Sequence, residues 1–259
     1  MNETPNFLGH DIERLSRLEA LSWLSIQDMR LLAGALALDN FKQSSIIFSQ
    51  VALASEAHIL LKGIARITCR SASNKRVTVA LLAPGPIPQF PSLPLGRFGF
   101  RCEAYNDCRV GSLSWDDFNG ITENGSAAAL KKFHEHDLQQ WYRILLRSSG
   151  LLHLDLYERI GIALLELSSD FGIKEMRGTL LRAPFSHQDI ADLVGASRPR
   201  VTETLARLER EHLIVRQGRN LIVCVEQIGE AIAVPPTRVR ELGSSANPPS
   251  KPVREKIFA

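Results

Sequence analysis

The 259-residue chain is 44% hydrophobic and 23% charged, enough apolar material for one large folded unit or two ordinary ones, which excludes disorder throughout. Its 31 lysines and arginines exceed its 28 acidic residues by three, too few for a general polyanion binder, so any basic surface is local. No apolar run approaches the roughly 18 residues that span a bilayer, and Met1 to Asp11 lacks the charged-then-apolar order of a signal peptide, so a cytoplasmic protein with no membrane partner is expected.

In chain order, Ile12, Leu15, Leu18, Leu21, Leu24, Met29, Leu32 and Leu36 recur mostly at three- or four-residue steps, which predicts a helical lead-in over residues 1–39. The pattern then changes to short β-branched or apolar stretches at Ser45–Phe48, His58–Leu61, Ala65–Cys69, Val77–Leu82 and Arg109–Leu113. Strands this short, punctuated by glycine, proline, serine and asparagine, predict an all-β sandwich, jelly roll or barrel in residues 40–125. Ala83–Gly99 carries five prolines, which exclude a regular helix or a central strand there.

Helical period returns with Leu130, Phe133, Leu138, Trp141, Leu145, Leu152, Leu156, Ile160, Leu164 and Leu167, with a break expected near Ser148-Ser149-Gly150. A long helix over 126–150 is either core or a seam between subunits; periodicity does not choose. The tail from Pro235 holds five of the thirteen prolines and a surplus of three positive charges, and reads as a disordered basic extension over 235–259.

The chemistry concentrates in Pro184–Val225. Ser186 is a good N-cap, Ile190, Leu193 and Val194 form one apolar face, and the helix stops at Gly195. Ser197 is expected to cap a second helix, with Pro199 in its first turn and Val201, Leu205 and Leu208 facing inward. Two helices joined by a short glycine-containing turn make a helix-turn-helix, and the segments Leu213–Val215 and Leu221–Val225 around Arg216–Asn220 add a hairpin wing. Arg198, Arg200, Thr202, Glu203 and Arg207 fall on the polar face, where a recognition helix meets base edges. Arginine grips guanine O6 and N7, glutamate accepts from cytosine N4, and threonine meets a phosphate or a thymine methyl. The wing arginines Arg216 and Arg219 are expected to face phosphates.

Gly195–Leu208, GASRPRVTETLARL, with the hairpin that follows, resembles the DNA-binding half of the cyclic AMP receptor and fumarate-nitrate regulator (CRP/FNR) family. The resemblance implies an α+β chain: an N-terminal jelly-roll sensor of the cyclic-nucleotide-binding type, a long dimerisation helix, and a winged helix-turn-helix over 151–234. It further implies a homodimer on a near-palindromic double-stranded DNA site, with RNA polymerase as a further partner. By position, Ser186, His187 and Gln188 fall where the family contacts phosphates, and Arg198 where it reads guanine, while Pro199, Arg200 and Glu203 depart from its best-known reading set.

In the sensor, the family's Gly-Glu and Arg-Ser cassette for a cyclic nucleotide aligns with Gln89-Phe90 and Phe98-Gly99. Phe90 cannot accept from a ribose hydroxyl, and Phe98 offers no charged donor, so cyclic AMP is not expected. Gln89, Phe90, Arg97 and Arg101 remain the effector-site candidates, the two arginines only in a shifted register, and the effector itself is unnamed. The alternative function is a receptor whose jelly roll binds a small molecule other than cyclic AMP and gates DNA binding. No cofactor or metal is expected: the first cysteine is Cys69, which closes the family's N-terminal iron-sulfur option, and His134 and His136 sit two apart on a helix and face different ways. Cys102 and Cys108 form a redox pair only if their strands meet. With no phosphate-binding glycine loop, H-E-x-x-H or nucleophile elbow, an enzyme is unsupported.

Overall fold

The computed structural model describes residues 10–18, 21–22, 24–49, 56–70, 76–88, 99–125, 127–181, 185–218 and 220–232. The lead-in forms two helices, α1 (His10–Ser16) and α2 (Ile26–Ala35), the second capped by the Ser25 hydroxyl accepting from Asp28 N–H. Their apolar steps turn inward: Leu15, Leu18, Leu21, Met29 and Leu32 pack on Ala57, Ile59, Leu61 and Phe118.

Among the described residues eight strands follow: β1 (Ala37–Phe41), β2 (Ile46–Ser49), β3 (Glu56–Lys62), β4 (Ala65–Arg70), β5 (Arg76–Leu82), β6 (Gly85–Pro86), β7 (Gly99–Ala104) and β8 (Cys108–Ser114). They pair antiparallel into two four-stranded sheets, β1-β8-β3-β6 and β2-β7-β4-β5. Phe48, Leu60, Ile67, Leu82, Ile87, Cys102 and Val110 pack between the sheets, so the expected β-sandwich is present. Along β3, Ala57, Ile59 and Leu61 face the N-terminal helices while Leu60 joins the sandwich interior, which explains its nearly continuous apolar run. In the proline-rich stretch the described residues give β6, two residues at a sheet edge, and Gly99, where β7 begins. β1, β6 and β7 lie outside the five stretches expected to form strands.

After α3 (Trp115–Gly125) comes α4 (Ala127–His153), 27 residues and about 40 Å long at 1.5 Å per residue. The break expected at Ser148-Ser149-Gly150 does not occur. Both serine hydroxyls donate within the helix, Ser148 to Ile144 O and Ser149 to Leu146 O, so neither pulls the backbone out of helix. Of the alternatives left open for this helix, packing as core holds on one face. Trp141 and Ile144 pack against the sandwich interior, while Leu138, Tyr142, Leu145 and Leu152 stand 66%, 57%, 65% and 87% exposed.

A capping box between Asp155 and Glu158 starts α5 (Leu156–Phe171), which runs back beside α4. Two partly buried ion pairs clasp the helices together. Arg143 holds Asp170 through both carboxylate oxygens at 2.8 and 3.0 Å. Arg147 Nε lies 2.9 Å from Glu166 Oε2, a charge contact without the alignment of a hydrogen bond.

The rest of the chain is β9 (Gly172–Glu175), β10 (Gly178–Leu181), α6 (His187–Val194), α7 (Arg198–Arg210), β11 (Ile214–Gln217), β12 (Asn220–Val223) and α8 (Val225–Ala231). The hairpin wing is present, and a second hairpin, β9–β10, which the sequence reading did not anticipate, extends it into a four-stranded sheet, β11-β12-β10-β9. Ile160, Leu164, Ile190, Val201, Leu205, Leu208, Ile214 and Ile228 form its core, joined by Ile64 and Leu81 of the sandwich. The tail beyond residue 232 lies outside the described residues. Among those described, no helix is long and apolar enough to cross a membrane.

Candidate nucleic-acid interface

α6 begins as its sequence predicts. The Ser186 hydroxyl accepts from Asp189 N–H, and the Asp189 carboxylate accepts from Ser186 N–H at 2.8 Å, a reciprocal box that satisfies two otherwise orphaned donors. Ile190, Ala191, Leu193 and Val194 bury the inner face. Gly195 ends the helix at φ 64°, ψ 45°, the left-handed conformation that a residue without Cβ adopts at low cost, and turns the chain into α7.

Ser197 occupies the N-cap position of α7, but its side chain makes no capping bond, contrary to expectation. Proline in the first turn, where no intrahelical donor is needed and φ is already fixed, supplies the start instead. Val201, Leu205 and Leu208 are buried, and the opposite face exposes Arg198, Arg200, Thr202 and Glu203. Among the described residues no ion pair engages Arg198, Arg200 or Glu203. The arginines farther on are committed. Arg207 pairs with Glu211 at 2.8 Å and lies 4.4 Å over the Tyr157 ring, and Arg216 pairs with Glu209 at 3.0 Å. Of the polar-face set read from sequence, Arg207 is exposed as expected but also holds Glu211, and in the wing Arg216 pairs with Glu209 of α7. Arg219 lies outside the described residues.

His187 joins the two helices, its Nδ1 2.8 Å from Thr202 Oγ1. Because the Thr202 hydroxyl donates to Arg198 O, Nδ1–H is the donor to Thr202, leaving Nε2 as the nitrogen that takes up a proton. Partial burial, then Arg216 and Arg198, hold this imidazole below its ordinary range. Gln188 is turned along α6 and donates to Asp192 at 2.6 Å. The N-terminus of α6 and the exposed first turns of α7 thus form one surface of backbone donors and free guanidinium groups, chemistry suited to phosphates and base edges.

The effector candidates do not gather. Gln89, Phe90 and Arg97 lie outside the described residues. Arg101 alternates along β7 with Phe100 and Cys102, which face the sandwich interior, so it sits on the outer face of its sheet. His58 stacks on Phe48 at 4.5 Å, and burial lowers its pKa, as it does that of His136. Cys102 and Cys108 are buried free thiols. Among the described residues no three His, Cys, Asp or Glu side chains converge as a metal site.

Residues 158–227 match the Crp-like helix-turn-helix domain. A CRP/FNR-family transcriptional regulator from Thermus thermophilus is 25% identical to the chain and superposes with a TM-score of 0.55, covering 76% of this chain and 98% of that one. The chain carries a Crp-like DNA-binding domain and resembles the CRP/FNR family along most of its length. It is therefore a DNA-binding transcription regulator rather than an enzyme. The chain is 27% identical over 195 residues to the global nitrogen regulator of Synechococcus elongatus, spanning 73% of this chain and 86% of that protein. Its fold matches FixK2 from Bradyrhizobium japonicum with a TM-score of 0.62 at 17% identity, over 82% of this chain and 99% of that one.

Proposed function

We propose that this regulator reads a near-palindromic duplex site as a homodimer, and that cyclic AMP is not its effector. The observation that carries the reading is the exposed stripe on α4. Leu138, Tyr142, Leu145 and Leu152 recur at steps of four, three and seven residues, the spacing of a two-helix seam. So much exposed apolar surface on one helix face marks an interface rather than a solvated surface. A two-fold seam along α4 would present two α7 helices to successive major grooves about 34 Å apart.

In this reading Ser186, His187, Gln188, Ser197 and Arg219 hold the phosphates, and Arg198, Arg200, Thr202 and Glu203 meet base edges. Against cyclic AMP stand the apolar side chains that line the described sandwich interior and the Gln89-Phe90 and Phe98-Gly99 pairs in the place of the cassette. Selection of bound duplexes from a randomised pool, with no effector added and at fixed salt, tests the proposal. A two-fold symmetric motif is expected; enrichment of a single half-site would refute it. A thermal shift on adding cyclic AMP would refute its second part.

Two further outcomes are expected. Arg198→Ala should weaken binding to the selected site by about 1–3 kcal/mol and relax preference at one base pair per half-site. Equal loss on all sequences would instead make Arg198 a phosphate contact. His187 supplies a pH dependence. A phosphate beside Nε2 raises an imidazole pKa that partial burial, Arg216 and Arg198 otherwise depress, so DNA binding takes up a proton and affinity rises as pH falls through the DNA-bound value. His187→Gln should flatten that slope in binding titrations between pH 8 and 5.5.

A further inference from the structure

The first turn of α6 is gripped from the sandwich. Tyr105, in the β7–β8 turn, donates its hydroxyl to Asp189 Oδ2 at 2.9 Å, and its ring lies 5.6 Å from that of Phe185, the residue before the Ser186 cap. Arg66 of β4 lies 3.8 Å from Asp189 Oδ1 and 3.2 Å from Glu103 Oε2, with its guanidinium 6.0 Å from the centre of the Tyr105 ring. The side chains of Arg66, Glu103 and Asp189 are 12%, 8% and 15% exposed. Asp189 is the same carboxylate that accepts from Ser186 N–H in the capping box. One side chain therefore shapes the DNA-facing end of α6 and ties it to the β-sandwich.

Burying three charges where apolar residues would pack as well is weak as a device for stability but selects one geometry, because each partner must be met at a fixed distance and angle. We infer that Arg66 and Tyr105 are positioning residues for DNA reading: acting through Asp189, they fix the angle of α6, and with it α7, relative to the dimer axis, and so set the half-site spacing the regulator accepts. The inference rests on the dimeric reading above. It also gives a route by which displacement of β4 or of the β7–β8 turn reaches the DNA-facing helices without touching them.

The test uses the full chain and a panel of symmetric duplexes whose half-sites are moved apart or together by one and two base pairs. Tyr105→Phe keeps the ring against Phe185 and removes only the hydrogen bond; Arg66→Lys keeps the charge and removes the fork. For both, affinity at the wild-type spacing is expected to fall about tenfold, the scale of a hydrogen bond to a charged group. The neighbouring spacings should lose less, flattening the profile. Base preference within a half-site and the salt slope should stay as in wild type, because the reading and phosphate-contacting side chains are intact. A spacing profile unchanged in both variants, or binding tightened with the profile kept, overturns the inference alone. A wild-type chain without any spacing preference overturns it together with the dimeric reading, and the two failures are told apart by the wild-type curve.

Discussion

Arg147→Met is expected to cost about 3–5 kcal/mol of folding stability at neutral pH, the scale on which removing one partner of a buried ion pair leaves the other uncompensated. The group left with only the pull of Arg143 is Glu166, buried on α5 among residues that join the sandwich to the winged helix. In the intact protein burial pushes its carboxyl pKa up, against the opposing pull of Arg147 and Arg143. A carboxyl raised in the folded state contributes most below its unfolded pKa and loses that contribution as pH rises through the folded value. Without Arg147 the rise is larger. The variant should therefore be worst near neutrality and recover part of its deficit as the medium is acidified toward the ordinary carboxylate range. Denaturant unfolding at several pH values would show this, with Arg147→Met/Glu166→Gln as the control that removes the buried charge and restores most of the loss. A deficit below about 1 kcal/mol, or one independent of pH, would mean that the clasp is solvated and holds little.

The winged helix was legible because its signals are local. Ser186 and Asp189 are three residues apart, Gly195 needs only its own backbone freedom, and Val201, Leu205 and Leu208 mark a face within three turns. Strand β7 was not legible for the opposite reason. Its outward residue Glu103 is tolerated in a buried position because Arg66, 37 residues away in sequence and directly across the ladder, meets it. β9 lay hidden in another way: its Ile173, Lys174 and Glu175 are all exposed, so no period of two marks it.

For α4 the apolar positions were read correctly, but their partners could not be. Trp141 and Leu145 stand four residues apart on one stripe, yet the first packs toward the sandwich interior and the second is exposed. Sequence also gave too much weight to Ser148-Ser149-Gly150. A single helical glycine costs about 1 kcal/mol, which a long, well-packed helix absorbs. Among the candidate site residues, position along the chain was legible and commitment was not. Nothing local distinguishes Arg207, fixed by Glu211 and Tyr157, from Arg198, which carries no ion pair among the described residues.

Leu145→Glu should separate the subunits. Leu145 sits at the middle of the exposed stripe, with Tyr142 three residues before it and Leu152 seven after, and Ser149 between them keeps its hydroxyl bonded to Leu146 O. In a two-fold seam of parallel helices each such position faces its own copy, so the substitution removes an apolar contact and sets two carboxylates against each other. The chain should still fold, because the side chain is 65% exposed and the inward residues Trp141 and Ile144 are untouched. Sedimentation velocity is expected to show a monomer with wild-type thermal unfolding of its winged helix. Each subunit would then meet DNA through one half-site, and the gain from joining two readers, about 10²–10⁴ in affinity, would disappear from the full site. Binding to an isolated half-site should be unchanged, which separates loss of pairing from damage to α7. A variant that stays dimeric and keeps its full-site affinity would place the subunit contact elsewhere, and the exposed leucines of α4 would then need a different partner.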